Sequence, residues 1–145
     1  MIDYAHSPES LESILNAVKS YTRGRVICVF GCGGDRDSGK RPIMGNIAAT
    51  LADHSIITSD NPRKEKPEEI IAQIEEGAKK TKGSYECIVD IKEAIKKAIH
   101  MAHKKDIVVI AGKGHELTQE IKGKKYSFDE REIVKEILGE KEQNN

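Results

Sequence analysis

The chain has 145 residues, 24 of them basic and 24 acidic, so its formal net charge is zero and nothing in the balance calls for nucleic acid or a membrane surface as partner. The length suits one domain with a real core, and no apolar run approaches a bilayer-spanning helix. The polar start MIDYAHSPES has no signal-peptide pattern, and three cysteines (Cys28, Cys32, Cys87) without paired spacing fit reduced thiols better than a disulfide framework or a zinc site.

Ser7-Pro8-Glu9 predicts a helix start: a hydroxyl cap, proline at the first helical position and an acid near the positive end of the dipole. Leu11, Ile14, Leu15 and Val18 follow at helical spacing. Arg25 to Phe30 (RVICVF) predicts a buried strand ending in Gly31-Cys32-Gly33-Gly34. Pro42 opens a second helix, with Ile43, Ile47, Ala48 and Leu51 assigned to its inner side. A short strand at Ser55 to Thr58 runs into Ser59-Asp60-Asn61-Pro62-Arg63, and Pro67 opens a third helix with Ile70, Ile71, Ile74 and Ala78 inward.

Tyr85 to Val89 predicts another strand, and Asp90 with Glu93 a capping box for a helix carrying Ile91, Ile95, Ala98 and Ile99. Asp106 to Ala111 predicts the fourth core strand, closed by Gly112-Lys113-Gly114-His115-Glu116. Thr118 to Ile121 and Lys125 to Phe128 flank a Lys122-Gly123-Lys124 turn as a hairpin, and Asp129 and Glu132 cap a last helix. Strands alternating with helices imply an α/β fold, Rossmann-like, with a mostly parallel sheet flanked by helices. The hairpin is expected to add an antiparallel edge.

Ligands of such sheets bind beyond the carboxyl ends of the strands. Three strand-end loops, after Phe30, Thr58 and Ala111, are rich in glycine and charge, so they are expected to share one face. The first, GCGGDRDSGKR, fails as a phosphate loop because Arg41 stands where Ser or Thr should follow Gly39-Lys40. It fails as a dinucleotide fingerprint because Arg36 occupies the third glycine position. What remains is a turn holding Arg36, Lys40 and Arg41 against Asp35 and Asp37. It is either a solvated charged loop or a place where a guanidinium grips a carboxylate with two hydrogen bonds.

The second loop puts acceptor, amide and guanidinium within Asp60-Asn61-Pro62-Arg63, and its plainer reading is an Asx-type turn. The third brings glycine beside Glu116 and His115, with a structural hydrogen bond as the plainer role of the imidazole. His54, His100 and His103 read as surface or boundary residues. Two guanidiniums, an amide, carboxylates and free backbone groups suit a zwitterion with more than one carboxylate and amine. The residues alone support a polar, amino-acid-like small-molecule site.

Five segments in order also resemble a known family: Asp3-Tyr4-Ala5-His6-Ser7-Pro8, Gly31 through Asp37, Lys40-Arg41-Pro42-x-Met44, Asp60-Asn61-Pro62-Arg63 and Gly112 through Glu116. Together they are similar to the Mur ligases, and Asp60-Asn61-Pro62-Arg63 resembles the form found in the diaminopimelate-adding branch. The resemblance implies an ATP- and Mg2+-dependent ligase of peptidoglycan precursor synthesis in the cytoplasm. Such an enzyme joins meso-diaminopimelate to UDP-MurNAc-L-Ala-D-Glu through an acyl phosphate. It implies that Arg36, Asp60, Asn61, Pro62, Arg63, Gly112 and Glu116 hold diaminopimelate, with Asp3 and His6 near the nucleotide.

The family's ATP-binding loop, magnesium ligands, carbamylated lysine and UDP-binding domain have no counterpart in residues 1–145. The resemblance therefore implies a single C-terminal, amino-acid-binding domain, with no catalytic residues of its own, no metal site and no ligase activity alone. The alternative is a stand-alone diaminopimelate-binding module without catalysis.

Overall fold

The computed structural model describes residues 2–3, 7–33, 38–59, 64–103, 105–111, 118–121 and 124–127. The elements are β1 (Ile2–Asp3), α1 (Pro8–Tyr21), β2 (Val26–Phe30), α2 (Lys40–Leu51), β3 (His54–Ile57) and α3 (Pro67–Ala78). There follow β4 (Tyr85–Cys87), α4 (Ile91–Met101), β5 (Ile107–Ala111), β6 (Thr118–Ile121) and β7 (Lys124–Ser127). Five strands form one parallel sheet in the order β1-β5-β2-β3-β4. The chain moves outward from β2 through β3 to β4, then returns to place β5 on the other side of β2. Strand order thus reverses between β2 and β5, the kind of switch point at which open α/β sheets take up ligands.

Side-chain alternation along the strands builds two cores. Val26, Cys28 and Phe30 of β2 join Ile57, Val109 and Ala111 on one face, packed against Leu11, Leu15 and Val18 of α1, Ala48 and Ala49 of α2, and Ile70, Ile71 and Ile74 of α3. Ile27 and Val29 point the other way, with Ile56 and Ile110, onto Ile91, Ala94, Ile95, Ala98 and Ile99 of α4. Each such fully buried aliphatic side chain contributes about 1.5–3 kcal/mol before entropy is counted. Burial on both faces explains why β2 reads as an unbroken apolar run.

Helix starts follow the expected chemistry at α1, where Ser7 Oγ accepts from the Ser10 N–H at 3.1 Å and Pro8 fills the first position. Asp90 Oδ1 does the same for α4, accepting from Lys92 N at 2.8 Å and Glu93 N at 3.2 Å. At the amino ends of the strands, carboxylates tie neighbours together. Asp53 Oδ2 accepts from Val26 N at 2.7 Å. Asp106 accepts from the backbone N–H groups of Arg25 (2.7 Å) and His103 (2.8 Å) and from the Arg25 guanidinium (2.9 Å).

Three expectations are corrected. The hairpin β6–β7 is antiparallel, but it pairs with itself as a separate two-stranded sheet and supplies no antiparallel edge to the main one. The outer side of β5, the strand just before it in the chain, is already paired with β1 through Ile2↔Ile110 and Asp3↔Ala111. Second, α2 begins at Lys40 rather than Pro42, and Ile43 is 53% exposed instead of inward. Its buried stripe is Arg41, Met44, Gly45, Ala48 and Ala49, because α2 meets α3 through its smallest residues.

Third, among the described residues the strand that joins the four expected core strands is parallel β1, which was not expected from the sequence. His54, at the boundary as expected, begins β3 and is held between Ser84 Oγ and Glu86 Oε2 at 2.7 Å each. Burial opposes ionisation of Glu86, but hydrogen bonds from Lys97 and His54 outweigh it and keep the carboxyl below its ordinary range. The helix expected at 129–138 lies outside the described residues.

Candidate functional site

The sheet register decides where the site sits. Phe30 of β2 is the partner of Ile57 in β3 and of Ala111 in β5, and Ala111 is in turn the partner of Asp3 in β1. Four strands therefore end on one row at the same edge of the sheet. Parallel strands lie about 4.8 Å apart, so the chain leaves β2, β3 and β5 within about 10 Å. The three glycine- and charge-rich segments all depart from that row, astride the point where strand order reverses.

Two of the departures are held by hydrogen bonds. Thr58 and Ser59, both buried, continue β3: Thr58 N donates to Phe30 O at 2.9 Å, Thr58 Oγ1 to Val89 O at 3.2 Å, and Ser59 N to Val89 O at 3.3 Å. They fix the stem from which Asp60-Asn61-Pro62-Arg63 follows. The β2 stem is held from α2. Arg41, only 1% exposed, donates through Nη2 to Gly33 O at 3.0 Å, and grips Glu65 with both terminal nitrogens at 2.8 and 3.2 Å. Nη1 also reaches Gln73 Oε1 of α3 at 2.8 Å.

Arg41 is thus neither a solvated charge of the loop nor open to a ligand, but a structural one whose carboxylate partner is Glu65. Buried charge without a partner would cost several kcal/mol, and Glu65 supplies the partner. Beneath it, Cys32 Sγ packs 3.7 Å from Met44 Sδ, fastening the glycine-rich stem to the first turns of α2.

Of the residues expected at the site, Asp3 stands on the row itself, in β1. Arg36, Asp60, Asn61, Pro62, Arg63, Gly112, Glu116 and His6 lie outside the described residues, as do Lys113 and His115. The structure therefore brings together the stems of their segments. Glu65 and Gln73 were not singled out in the sequence, and Arg41, Thr58 and Ser59 were named there without these framing roles. Their signal was faint: each is an ordinary polar residue within a charged or turn-forming stretch.

The described residues carry little reactive chemistry of their own. Burial pushes the Cys28 thiol up to about 12, leaving it inert as a nucleophile, and raises exposed-edge Cys87 to about 11. No group of three or more His, Cys, Asp or Glu side chains among the described residues could hold a metal ion. No helix among them is long and apolar enough to cross a membrane. The arrangement is a rigid frame for polar loops.

The profile of the family described as "Mur ligase, glutamate ligase domain" matches residues 1–114, most of the chain. This chain belongs to the Mur ligase family. The UDP-N-acetylmuramoyl-L-alanyl-D-glutamate--2,6-diaminopimelate ligase of Caldanaerobacter subterraneus subsp. tengcongensis is 58% identical over 97% of the chain. Ligase 1 of the same name from Clostridium acetobutylicum is 54% identical over 97% of it. A solved structure titled as the same ligase superposes with a TM-score of 0.92 at 44% identity, covering 97% of this chain. In all three the chain spans 29% of the relative's own length. The five-stranded sheet with helices on both faces is accordingly a Mur ligase domain fold.

Proposed function

We propose that this chain is the C-terminal, amino-acid-binding domain of an ATP-dependent ligase in the cytoplasm. The ligase joins meso-diaminopimelate to the γ-carboxylate of the D-glutamyl residue in UDP-MurNAc-L-Ala-D-Glu. The observation that carries this reading is the shared row Asp3–Ala111–Phe30–Ile57, from which all the motif-bearing segments leave. The names of the relatives support the substrate.

In this reading Arg36, Asn61 and Arg63, with Asp60, Pro62, Gly112 and Glu116, hold the incoming diaminopimelate. Arg63 pairs with the side-chain carboxylate that lysine lacks, a bidentate contact suited to a guanidinium. Lysine would leave Arg63 desolvated and unpaired, at a cost of about 2–5 kcal/mol. Glu116 and a backbone carbonyl made accessible by Gly112 receive the distal ammonium. The near amine is thereby aimed at the activated carboxylate, and its contribution is orientation.

Asp3 and His6 lie toward the nucleotide. ATP and Mg2+ supply the activation of the carboxylate, and both are held by parts of the ligase other than this chain. The described residues offer no carboxylate cluster for the metal, so no step here runs through it.

The test is an assay of the ligase containing this chain, with ATP, UDP-MurNAc-L-Ala-D-Glu and either meso-diaminopimelate or L-lysine. Amide formation with diaminopimelate, and a far lower kcat/KM with lysine, is expected. Residues 1–145 alone should form no product. Equal use of both amino acids, or ligation by the 145-residue chain, would refute the reading.

A further inference from the structure

The function just described gives no task to the most buried charge among the described residues. Arg41 is 1% exposed, yet its partners come from both the segment after β2 and the segment that runs into α3. Gly33 O belongs to the stem of the β2 segment, three residues before Arg36. Glu65 comes two residues after Arg63, and Gln73 sits in the middle of α3. One planar fork therefore joins the stems of two loops that the sequence separates.

Fold stability alone does not explain such a choice. A buried ion pair is no more stabilising than well-packed apolar side chains of the same volume. What the fork adds is direction, since its donors are fixed in one plane and a lysine ammonium presents only a point charge. The frame that holds it is equally fixed. Gly45 and Gly77 let the α2 and α3 backbones touch, and Asn46 Nδ2 donates to Gly77 O at 3.3 Å, so the helices carrying Arg41 and Gln73 are in fixed register.

We propose that Arg41 is a positioning residue for amino-acid selection. By binding Gly33 and Glu65 at once, it sets the separation of the two stems, one leading into the segment of Arg36 and one following that of Arg63. This rests on the reading that those two segments hold diaminopimelate. Arg41 touches no substrate; it acts through the stems.

The experiment uses the full ligase carrying Arg41→Lys or Glu65→Gln, with each of the three substrates varied in turn. Misplacing a ligand-holding group by about 1 Å costs on the order of 100-fold. Arg41→Lys should therefore raise KM for meso-diaminopimelate about 10- to 100-fold and narrow the preference over lysine. KM for ATP and for UDP-MurNAc-L-Ala-D-Glu should stay within about twofold. A merely structural role would instead reduce the folded fraction, lowering apparent kcat with every KM unchanged, and that result overturns the proposal.

If Arg41→Lys does not fold, Glu65→Gln decides. It keeps an acceptor on the 32%-exposed side of the pair, and should raise the diaminopimelate KM alone. An unchanged KM in that variant likewise overturns the proposal. A wild-type ligase that does not incorporate diaminopimelate sinks the functional reading itself. An active wild type whose variants bind diaminopimelate normally sinks only the role of Arg41.

Discussion

Replacing Gly77 by alanine tests how firmly α2 and α3 frame the candidate site. A Cβ on Gly77 would stand 2.6 Å from the Pro42 carbonyl carbon and 2.9 Å from its Cα, and closer still to the carbonyl oxygen. These are backbone atoms of the first turn of α2, and no side chain can swing aside. Carbon contacts settle at about 3.5–4.0 Å, so the helices must part by about 1 Å. Overpacking of this kind costs about 1–3 kcal/mol, and the parted interface also loses dispersion around Met44, Ile70 and Ile74.

Against this stands alanine's advantage over glycine in a helix, at most about 1 kcal/mol. The net expectation is a loss of about 1–3 kcal/mol, a fall in Tm of about 3–10 °C for a chain this size. Urea denaturation followed by far-ultraviolet circular dichroism measures it. Gly45→Ala, whose Cβ would lie 2.9 Å from the Ile74 carbonyl carbon, should behave alike, and the pair should lose less than the sum because the first parting makes room for the second. Unchanged or increased stability of Gly77→Ala would refute the close-packed frame.

Asp106→Asn should lower stability by about 1–3 kcal/mol at neutral pH, through weakened bonds to Arg25 and His103. Backbone N–H groups of His103 and Arg25, followed by the Arg25 guanidinium, outweigh burial and hold this carboxyl at about 2, below its ordinary 3.8. Its folded value is depressed, so its contribution is complete above the ordinary value and is lost as pH falls through about 2. Wild type and variant should therefore differ by a constant amount from pH 7 to about 5 and converge in more acid solution, and a gap independent of pH would contradict this. Asp90→Ala should cost about 1 kcal/mol by uncapping α4, read in the same denaturation assay, and no loss would contradict the cap.

Much of the fold was legible because the residues that make it carry two periods. Ile70, Ile71, Ile74 and Ala78 repeat at helical spacing and all are buried, as are Ile91, Ile95, Ala98 and Ile99. Helix α2 was placed with Ile47, Ala48 and Leu51 correctly inward, and only Ile43 was misassigned. Its buried stripe is Arg41, Met44, Gly45, Ala48 and Ala49, so hydrophobicity favoured Ile43, which faces solvent. Strand β1 has two residues and exists only by pairing with β5, so no local pattern marks it.

The shared row of strand ends was legible, since parallel strands must deliver their carboxyl ends to one edge. The frame behind the loops was not. Arg41 sits in the run Lys40-Arg41, where charge normally means solvent. Only the tertiary approach of Glu65 and Gln73 makes its burial tolerable. A polar residue whose partners are distant in sequence leaves no signature in its own neighbourhood.

The claim that a guanidinium after β3 reads the second carboxylate of the amino acid is met most directly by one ratio. This is kcat/KM for meso-diaminopimelate over kcat/KM for L-lysine, in the ligase containing this chain and in its Arg63→Ala variant. Loss of about 2–5 kcal/mol of discrimination should reduce that ratio about 30-fold or more. A ratio that stays the same in Arg63→Ala would contradict the account.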